Sequence, residues 1–289
     1  MRISRFAVCA SLVLASVSMQ PAGAVPIAVE TFESYGAGAN LNGGSGGTGW
    51  TSNWFAAGAH TTVQPQSLSD PKGLSNAAPP VSVIILANGT VQAVGTPGDV
   101  GNFLNRAFPA TTDTLYMSLL VHVVNGVDSG DFYNFMVSNG ATGNTNAGLG
   151  VGIRNNTNNP FFSRVGSSGS GDTDNSSTNA VAGQTFLLVA KFSKDGSANY
   201  NRTDLFINPT SLVEPGTPDA FSVSGVTGLS TLSLFSVRNF NPESGDTVFI
   251  DNIRFAATFA DAIGVPEPGT VLLSLAGLAS LAARRRRTA

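Results

Sequence analysis

The side chains that could act in acid–base catalysis are few and scattered along the chain. Hydrolysis of a glycosidic bond needs two carboxyl groups, one to donate a proton and one to attack or to activate water. The candidate glutamates are Glu30, Glu33, Glu214 and Glu243, and the histidines are His60 and His122. Glu30 and Glu33 are three residues apart, so on a strand they point to opposite faces. No hydrolytic triad can be argued from two isolated histidines. We therefore predict no catalytic residues and a protein that is not an enzyme.

Two tryptophans beside a Gly- and Asn-rich stretch, residues 36–49, are the candidate ligand-binding residues. Flat indole rings such as those of Trp50 and Trp54 can stack on the faces of sugars. Packing of the same rings in the core beneath the loop is the alternative. The sequence therefore predicts a ligand platform at these two residues and leaves core packing open.

A polar stretch at 166–179, GSSGSGDTDNSSTN, is predicted to be a solvated loop. Asp172, Asp174 and Ser176 alternate within it in a way that is faintly similar to a calcium loop. An EF-hand needs glutamate at the twelfth position, which Gly183 occupies. We expect no cofactor and leave the metal unassigned, with a calcium ion as the alternative.

Strands rather than helices are expected to position these residues. Short apolar runs separated by Gly, Asn, Ser and Pro clusters are typical of strands, and only 11% of residues are charged. The predicted strands are 28–32, 81–86, 103–108, 115–124, 132–137, 149–154, 161–165, 185–192, 204–207, 232–237 and 248–255. In the last of these, alternation places Phe249, Asp251, Ile253 and Phe255 on one face. Many antiparallel strands without helices indicate an all-β, two-sheet antiparallel sandwich or jelly roll over residues 25–264.

The N-terminal segment, residues 1–24, has the features of a secretory signal peptide. Arg2 and Arg5 precede an apolar run, 6–17, which predicts a signal helix. The small residues Ala22 and Ala24 mark the predicted cleavage site, with Val25 as the mature N-terminus. Cys9 lies inside the signal, so the mature protein is predicted to contain no disulfide and no cysteine ligand.

The C-terminal segment, residues 265–289, has three consecutive parts: a Pro-Glu-Pro motif, an uncharged apolar run and an arginine cluster. The motif residues are Val265, Pro266, Glu267 and Pro268, and the cluster is Arg284, Arg285, Arg286 and Arg287. The run 270–283 predicts a membrane helix, although its span of about 21 Å is short for a roughly 30 Å hydrocarbon core. The arginines are expected to stay on the cytoplasmic side.

This segment resembles the PEP-CTERM sorting signal of Gram-negative bacteria. The resemblance implies recognition by an exosortase-type protease and the secretion machinery, with a transient anchor in the inner membrane. The protein is then released to, or attached at, the cell exterior. An ordinary single-pass anchor is the alternative.

The body also resembles a known family. The residues 32–35 (FESY), 41–44 (LNGG), 47–50 (GTGW), 115–118 (LYMS), 204–209 (DLFINP) and 251–255 (DNIRF) are similar to those of concanavalin A-like (laminin G-like) lectin and glucanase sandwiches. The resemblance implies two curved sheets with a concave face that binds sugars or other ligands. Hydrolases of this fold carry a Glu-x-Asp-x-Glu strand, which this chain lacks.

The charge balance of the mature body limits its partners. When the arginine cluster is left out, residues 25–289 contain nine basic and eighteen acidic residues. Their net charge is therefore near −9. Nucleic acid is therefore not an expected partner. We predict a secreted or cell-surface protein whose sandwich binds carbohydrate in exopolysaccharide or biofilm matrix. A structural matrix protein without a small-ligand site is the alternative, and a polysaccharide-active enzyme is disfavoured.

Overall fold

The computed structural model describes residues 25–264 except 37, 58–62, 65–67, 69–70, 72–82, 88–101, 125–126, 128–130, 141–147, 155–158, 167–170, 226 and 241–246. The described residues all belong to one compact unit, Ala24–Pro266. The predicted signal helix, its cleavage site and the segment 265–289 with its predicted membrane helix lie outside the described residues. Within the described part of the chain, no helix has the length and apolar character needed to cross a membrane.

The described residues form fifteen strands and one short helix. In chain order they are β1 (Ala28–Glu30), β2 (Phe55–Ala57), β3 (Val63–Gln64), β4 (Val83–Ala87), β5 (Asn102–Thr111), β6 (Leu115–Val123), β7 (Phe132–Ser138), β8 (Leu149–Arg154), β9 (Pro160–Val165), β10 (Asp172–Asn179), β11 (Gln184–Ser193), β12 (Arg202–Ile207), β13 (Ala220–Val223), β14 (Leu232–Phe240), β15 (Thr247–Ala256) and α1 (Phe259–Ile263). Each predicted strand corresponds to one of these elements. The strands β2, β3, β10 and β13 were not predicted.

The strands make two antiparallel sheets. The first sheet has the order β13-β12-β11-β6-β15-β4-β3, with β1 also paired to β15. The second sheet has the order β10-β9-β8-β7-β14-β5-β2. Side chains from the facing surfaces of both sheets form one apolar cluster between them. The predicted all-β, two-sheet antiparallel sandwich is therefore confirmed.

The outer surface of the first sheet carries a second apolar cluster, which helix α1 covers. Alternation along β6 sends Leu119 to the interior and Leu120 to this outer cluster, where it joins Phe259 and Ile263 of the helix. The helix begins after Thr258, whose side-chain oxygen accepts a hydrogen bond from an amide in the first turn. One face of this sheet is thus buried against the helix and is not offered to a ligand there.

Strand β15 contains a bulge that the sequence pattern did not predict. Its pairing with β6 shifts around Asn252, which has a φ of 50°. As a result Phe249 joins the outer cluster, whereas Ile253 and Phe255 face the interior, as Ile250 does. The predicted alternation, which placed Phe249 with Ile253 and Phe255, is wrong because one extra residue reverses the phase of the strand.

The bulge also holds a buried carboxyl group. The Asp251 side chain is 1% exposed and accepts hydrogen bonds from the backbone amides of Leu68 (3.3 Å) and Asn252 (2.7 Å). Burial raises the pKa of Asp251 to about 7, and the two amides offset only part of this rise. This group couples the stability of the body to pH.

Strand β10 corrects the prediction of a solvated loop over 166–179, because residues 172–179 pair with β9. Asp172 Oδ2 accepts from the amide of Val223 (2.9 Å), and Asp174 Oδ2 accepts from the amide of Phe221 (3.1 Å). Both acceptors bind β13 of the first sheet, so the two carboxylates link the sheets at one edge of the sandwich. A strand without apolar alternation gives no periodic signal in the sequence.

Candidate ligand-binding face

A buried ion pair crosses the interior between the two sheets. Glu30 ends β1 of the first sheet, and Arg106 lies on β5 of the second. Their side chains are 0% and 2% exposed, and Arg106 Nη1 contacts Glu30 Oε2. The carboxylate also accepts from the Phe32 amide (2.9 Å) and from Trp54 Nε1 (3.0 Å). Several hydrogen bonds are needed to offset the cost of burying both charges.

The two tryptophans lie inside this arrangement. The guanidinium of Arg106 is 4.8 Å from the ring centroid of Trp50 and 5.2 Å from that of Trp54. Trp54 is 2% exposed, and the half-buried Trp50 donates from Nε1 to the Val29 carbonyl (3.0 Å). The structure thus places Trp54 in the core, the alternative named above, where neither ring face is available to a sugar. Trp50 packs edge-on against Phe255 at 5.8 Å.

The glycine-rich stretch is held by the same carboxylate. Tyr35 Oη donates to Glu30 Oε2 (3.2 Å) and accepts from the Gly46 amide (2.6 Å). Burial raises the pKa of Tyr35 to about 12. At Gly49, with φ 78°, an added Cβ would lie 2.1 Å from the Ile27 carbonyl oxygen. The loop is therefore fixed against β1 and packs as part of the body.

Sequence reasoning did not identify the role of Arg106. The signal was present, because Leu104, Arg106 and Phe108 alternate on the inward face of one predicted strand. A charged residue at an inward position requires a buried partner. The partner could not be chosen from the sequence, since Glu30 is 76 residues away.

The outer face of the second sheet, which we call the ligand face, carries a different set of side chains. In β7, the side chains of Tyr133, Phe135 and Val137 belong to the interior cluster. The alternate residues of β7, from Phe132 and Asn134 onward, therefore point outward. Strand pairing aligns the outward residues in rows across the sheet. One row is Arg238, Asn134, Gly152, Phe162 and Asn175, and the next is Asn105, Ser236, Met136, Gly150, Arg164 and Thr173.

Glycines in the middle of the ligand face leave room for the side chains of neighbouring strands. Strand β8 places Gly150 and Gly152 on the outward side, and Gly148 directly precedes the strand. An added Cβ at Gly150 would lie 2.5 Å from Asn134 Oδ1, and one at Gly152 would lie 1.9 Å from the Tyr133 carbonyl oxygen. The absent side chains are what allow Asn134 to lie flat against the sheet.

Three polar residues of the ligand face are buried and carry side-chain atoms without a hydrogen-bond partner. These groups, which we call the polar floor, are Asn105, Asn134 and Ser138, and they are 3%, 1% and 2% exposed. Both side-chain atoms of Asn105, Oδ1 of Asn134 and Oγ of Ser138 make no hydrogen bond. Buried polar groups are almost always paired, and each exception calls for an explanation. A bound polar ligand or ordered water would supply the missing partners.

Arginine and phenylalanine side chains border the polar floor. Phe132 and Phe162 stack with ring centroids 5.6 Å apart and planes at 15°. The guanidinium of Arg154 lies 5.8 Å from the Phe162 centroid, while those of Arg164 and Arg238 lie 5.9 Å and 5.6 Å from that of Phe132. We call these three residues the arginine rim. All three are partly exposed, so the rim is open to solvent.

A metal site and the histidine His122 were also considered from the sequence, and neither belongs to the ligand face. No group of three or more His, Cys, Asp or Glu side chains suited to a metal occurs in the part of the chain that the structure describes. The calcium ion stays a prediction. His122, on the outer side of the first sheet, stacks on Phe249 and shares a 2.9 Å hydrogen bond with Thr185, and burial lowers its pKa.

A polar cleft of about 410 Å³ lies beside β11 and β12 on the first sheet. Most of its charged side chains form ion pairs with one another. Lys191 pairs with Glu214 at 2.7 Å, and Arg202 pairs with Asp204 at 2.8 Å and with Asp195 at 3.2 Å. The cleft therefore differs from the ligand face, where buried polar atoms make no hydrogen bond.

The family match found by comparison with known proteins lies in the C-terminal segment, after the body. Residues 264–287 match the family model of the PEP-CTERM protein-sorting motif. The chain carries a PEP-CTERM sorting motif. This motif implies exosortase-dependent processing and a secreted, cell-surface protein of a Gram-negative bacterium. The resemblance found in the sequence is thereby confirmed, while the predicted signal peptide stays a prediction.

Solved structures similar to the body are β-sandwich proteins. The endo-β-1,4-glucuronan lyase of the fungus Trichoderma reesei is 13% identical, with 74% of this chain and 94% of that chain covered and a TM-score of 0.44. A glycosyl hydrolase family protein of Mycobacterium fortuitum is 13% identical, with 81% and 100% covered and a TM-score of 0.39. No curated protein matches the chain. At these similarities neither neighbour's activity transfers to the PEP-CTERM chain, and the resemblance of the body to concanavalin A-like sandwiches rests on the sequence motifs.

Proposed function

We propose that the body is a non-catalytic carbohydrate-binding module, displayed outside the cell after sorting through the PEP-CTERM motif. The observation that carries the proposal is the polar floor. Its buried amide and hydroxyl groups lack partners, and one of them, Asn134, lies two residues from the partly exposed ring of Phe132 on β7. Sugars present hydroxyl groups that donate and accept hydrogen bonds, together with C–H faces that pack on aromatic rings.

The composition of the ligand face supports binding over hydrolysis. The described outward residues of β5, β7, β8, β9 and β14 include no Asp or Glu. A glycosidase of the retaining or inverting type needs two carboxyl groups flanking the scissile bond. The proposed role is therefore attachment to a polysaccharide in the exopolysaccharide or biofilm matrix, without turnover.

The experiment is a glycan array with the protein isolated from its producing cells, followed by calorimetry on the glycans that bind. The test variant is Asn134→Leu, which keeps the approximate shape of the side chain and removes the unpaired oxygen. We expect binding to weaken by up to about tenfold, because one neutral hydrogen bond contributes about 0.5–1.5 kcal/mol.

The same variant should not destabilise the protein. Replacing a buried polar group without a partner is neutral or stabilising, by about 1 kcal/mol. The matched control is Gln184→Leu, an exposed amide at the start of β11 on the first sheet, which should leave binding unchanged. Equal binding by Asn134→Leu and the parent protein would place the glycan site elsewhere.

A structural matrix protein without a small-ligand site is the second candidate. The internal positions of Trp50 and Trp54 favour it, because the exposed aromatic platform expected from the sequence is not offered by Trp54. Under this alternative the array shows no binding with or without calcium, and deletion of the gene still weakens the extracellular matrix.

A further inference from the structure

The arginine rim concentrates positive charge on an otherwise acidic body. Arg154, Arg164 and Arg238 come from β8, β9 and β14, and strand pairing brings them around one stacked phenylalanine pair. Only nine basic residues lie between residues 25 and 265, against seventeen acidic ones. One third of the basic residues of the body thus lies on the ligand face.

The guanidinium groups of Arg154 and Arg164 are held by single hydrogen bonds from Nε. Arg154 Nε donates to Asn175 Oδ1 (2.9 Å), and Arg164 Nε donates to the Gly166 carbonyl (2.7 Å). Among the described residues, no carboxylate lies within ion-pair distance of either side chain. Their terminal nitrogens therefore stay available on the phenylalanine rings for a bidentate acceptor.

Three other cations of the body have carboxylate partners, unlike these two. Arg106 pairs with Glu30, and Lys191 pairs with Glu214. Arg202 has two carboxylate partners. Arg154 and Arg164 have no such partner among the described residues, and burial together with the nearby charges of Arg238 and Arg154 lowers the pKa of Arg164. An anion placed between them would relieve the repulsion between these charges.

We propose that the ligand is an acidic polysaccharide, whose anionic groups bind the arginine rim while its hydroxyl groups bind the polar floor. This inference rests on the proposed function and narrows it to one class of glycan. The guanidinium fork matches both carboxylate and sulfate, so uronate-containing and sulfated chains share the required chemistry. Neutral glucans lack such an anionic group.

The experiment measures binding by calorimetry, using the protein isolated from producing cells. Two matched pairs of probes are compared. A β-1,4-linked glucuronate hexamer and cellohexaose differ only at carbon 6, and dextran sulfate differs from dextran only in its sulfate groups. We expect at least one acidic probe to bind about tenfold or more tightly than its neutral partner. This preference should fall as sodium chloride is raised from about 0.05 M to 0.5 M, since salt screens exposed charges.

The test variant is the double substitution Arg154→Gln with Arg164→Gln, which should abolish the preference for the acidic probe. Lys194→Gln removes one positive charge on the other sheet and should leave the preference intact. If the double variant loses its circular dichroism signal, the single variant Arg164→Lys replaces it. Lysine keeps the charge but not the fork, so binding of the acidic probe should weaken while the fold is retained.

The outcomes separate this inference from the proposed function. Equal affinity for acidic and neutral partners overturns the acidic preference while carbohydrate binding stands. Absence of binding to these probes and to every glycan on the array overturns both. Single-stranded DNA that binds as tightly as the acidic glycan would also overturn the inference, because the rim would then recognise charge without sugar. The uronate and sulfate arms show which anionic group is selected.

Discussion

Neutralising one member of the buried pair between the sheets should be among the most damaging single changes in this body. Glu30→Gln keeps the size of the side chain and one acceptor oxygen but leaves Arg106 charged in the interior. Both side chains are at most 2% exposed, so water cannot replace the lost partner. Breaking such a pair from one side typically costs about 3–5 kcal/mol.

The expected thermal effect follows from the size of the body. For domains of 150–250 residues, 1 kcal/mol shifts Tm by about 2–4 °C, so Glu30→Gln should lower Tm by roughly 6–20 °C. Urea unfolding followed by tryptophan fluorescence gives the free energy directly. The emission also reports on Trp54, which donates to the same carboxylate.

The matched control is Glu214→Gln, which breaks the ion pair with Lys191. Those side chains are 26% and 30% exposed, and exposed pairs contribute about 0–1 kcal/mol. Adding Arg106→Met to Glu30→Gln should recover part of the loss, because it removes the uncompensated charge. Equal, small losses for Glu30→Gln and Glu214→Gln would refute the argument that the cross-sheet pair supports the body.

Three further predictions concern pH, packing and sorting. Asp251 has a pKa raised to about 7, above its unfolded value near 4, so stability should fall by on the order of 4 kcal/mol as pH rises from about 4 to 7. Asp251→Asn should flatten this slope in urea unfolding, and an unchanged slope would assign it to other groups. Gly152→Ala should cost about 1–3 kcal/mol because its Cβ meets a backbone oxygen, whereas Gly216→Ala, with open space, should be neutral in the same assay. Intact mass of the exported protein should end near Pro268, and a species that retains Arg287 would indicate a permanent anchor.

Much of the fold followed from local patterns. The apolar run 115–124 predicted a strand, and β6 (Leu115–Val123) confirms it. The pattern failed where long-range packing decides the outcome. Residues 172–179 have no apolar face, yet they form β10 because their carboxylates bind the amides of β13. The bulge at Asn252 reversed the phase of β15, and no local residue signalled it.

The candidate site was predicted less well than the fold. The sequence drew attention to Trp50 and Trp54, because aromatic residues beside glycines are typical of sugar sites. The structure uses Trp54 for the interior and assembles polar groups on the opposite side of the second sheet. Asn134 gave no signal of its own, since an asparagine within a strand is recognised as unpaired only once its neighbours are known.

The sequence by itself determined the sorting motif and the all-β class, because each depends on residues that are close together in the chain. Turn residues, alternation and a contiguous motif need no knowledge of distant partners. Only the tertiary structure decided that Glu30 meets Arg106, and that three arginines from separate strands share one face. Such long-range contacts depend on strand order and register. These are set by the packing of the whole sandwich rather than by any short segment.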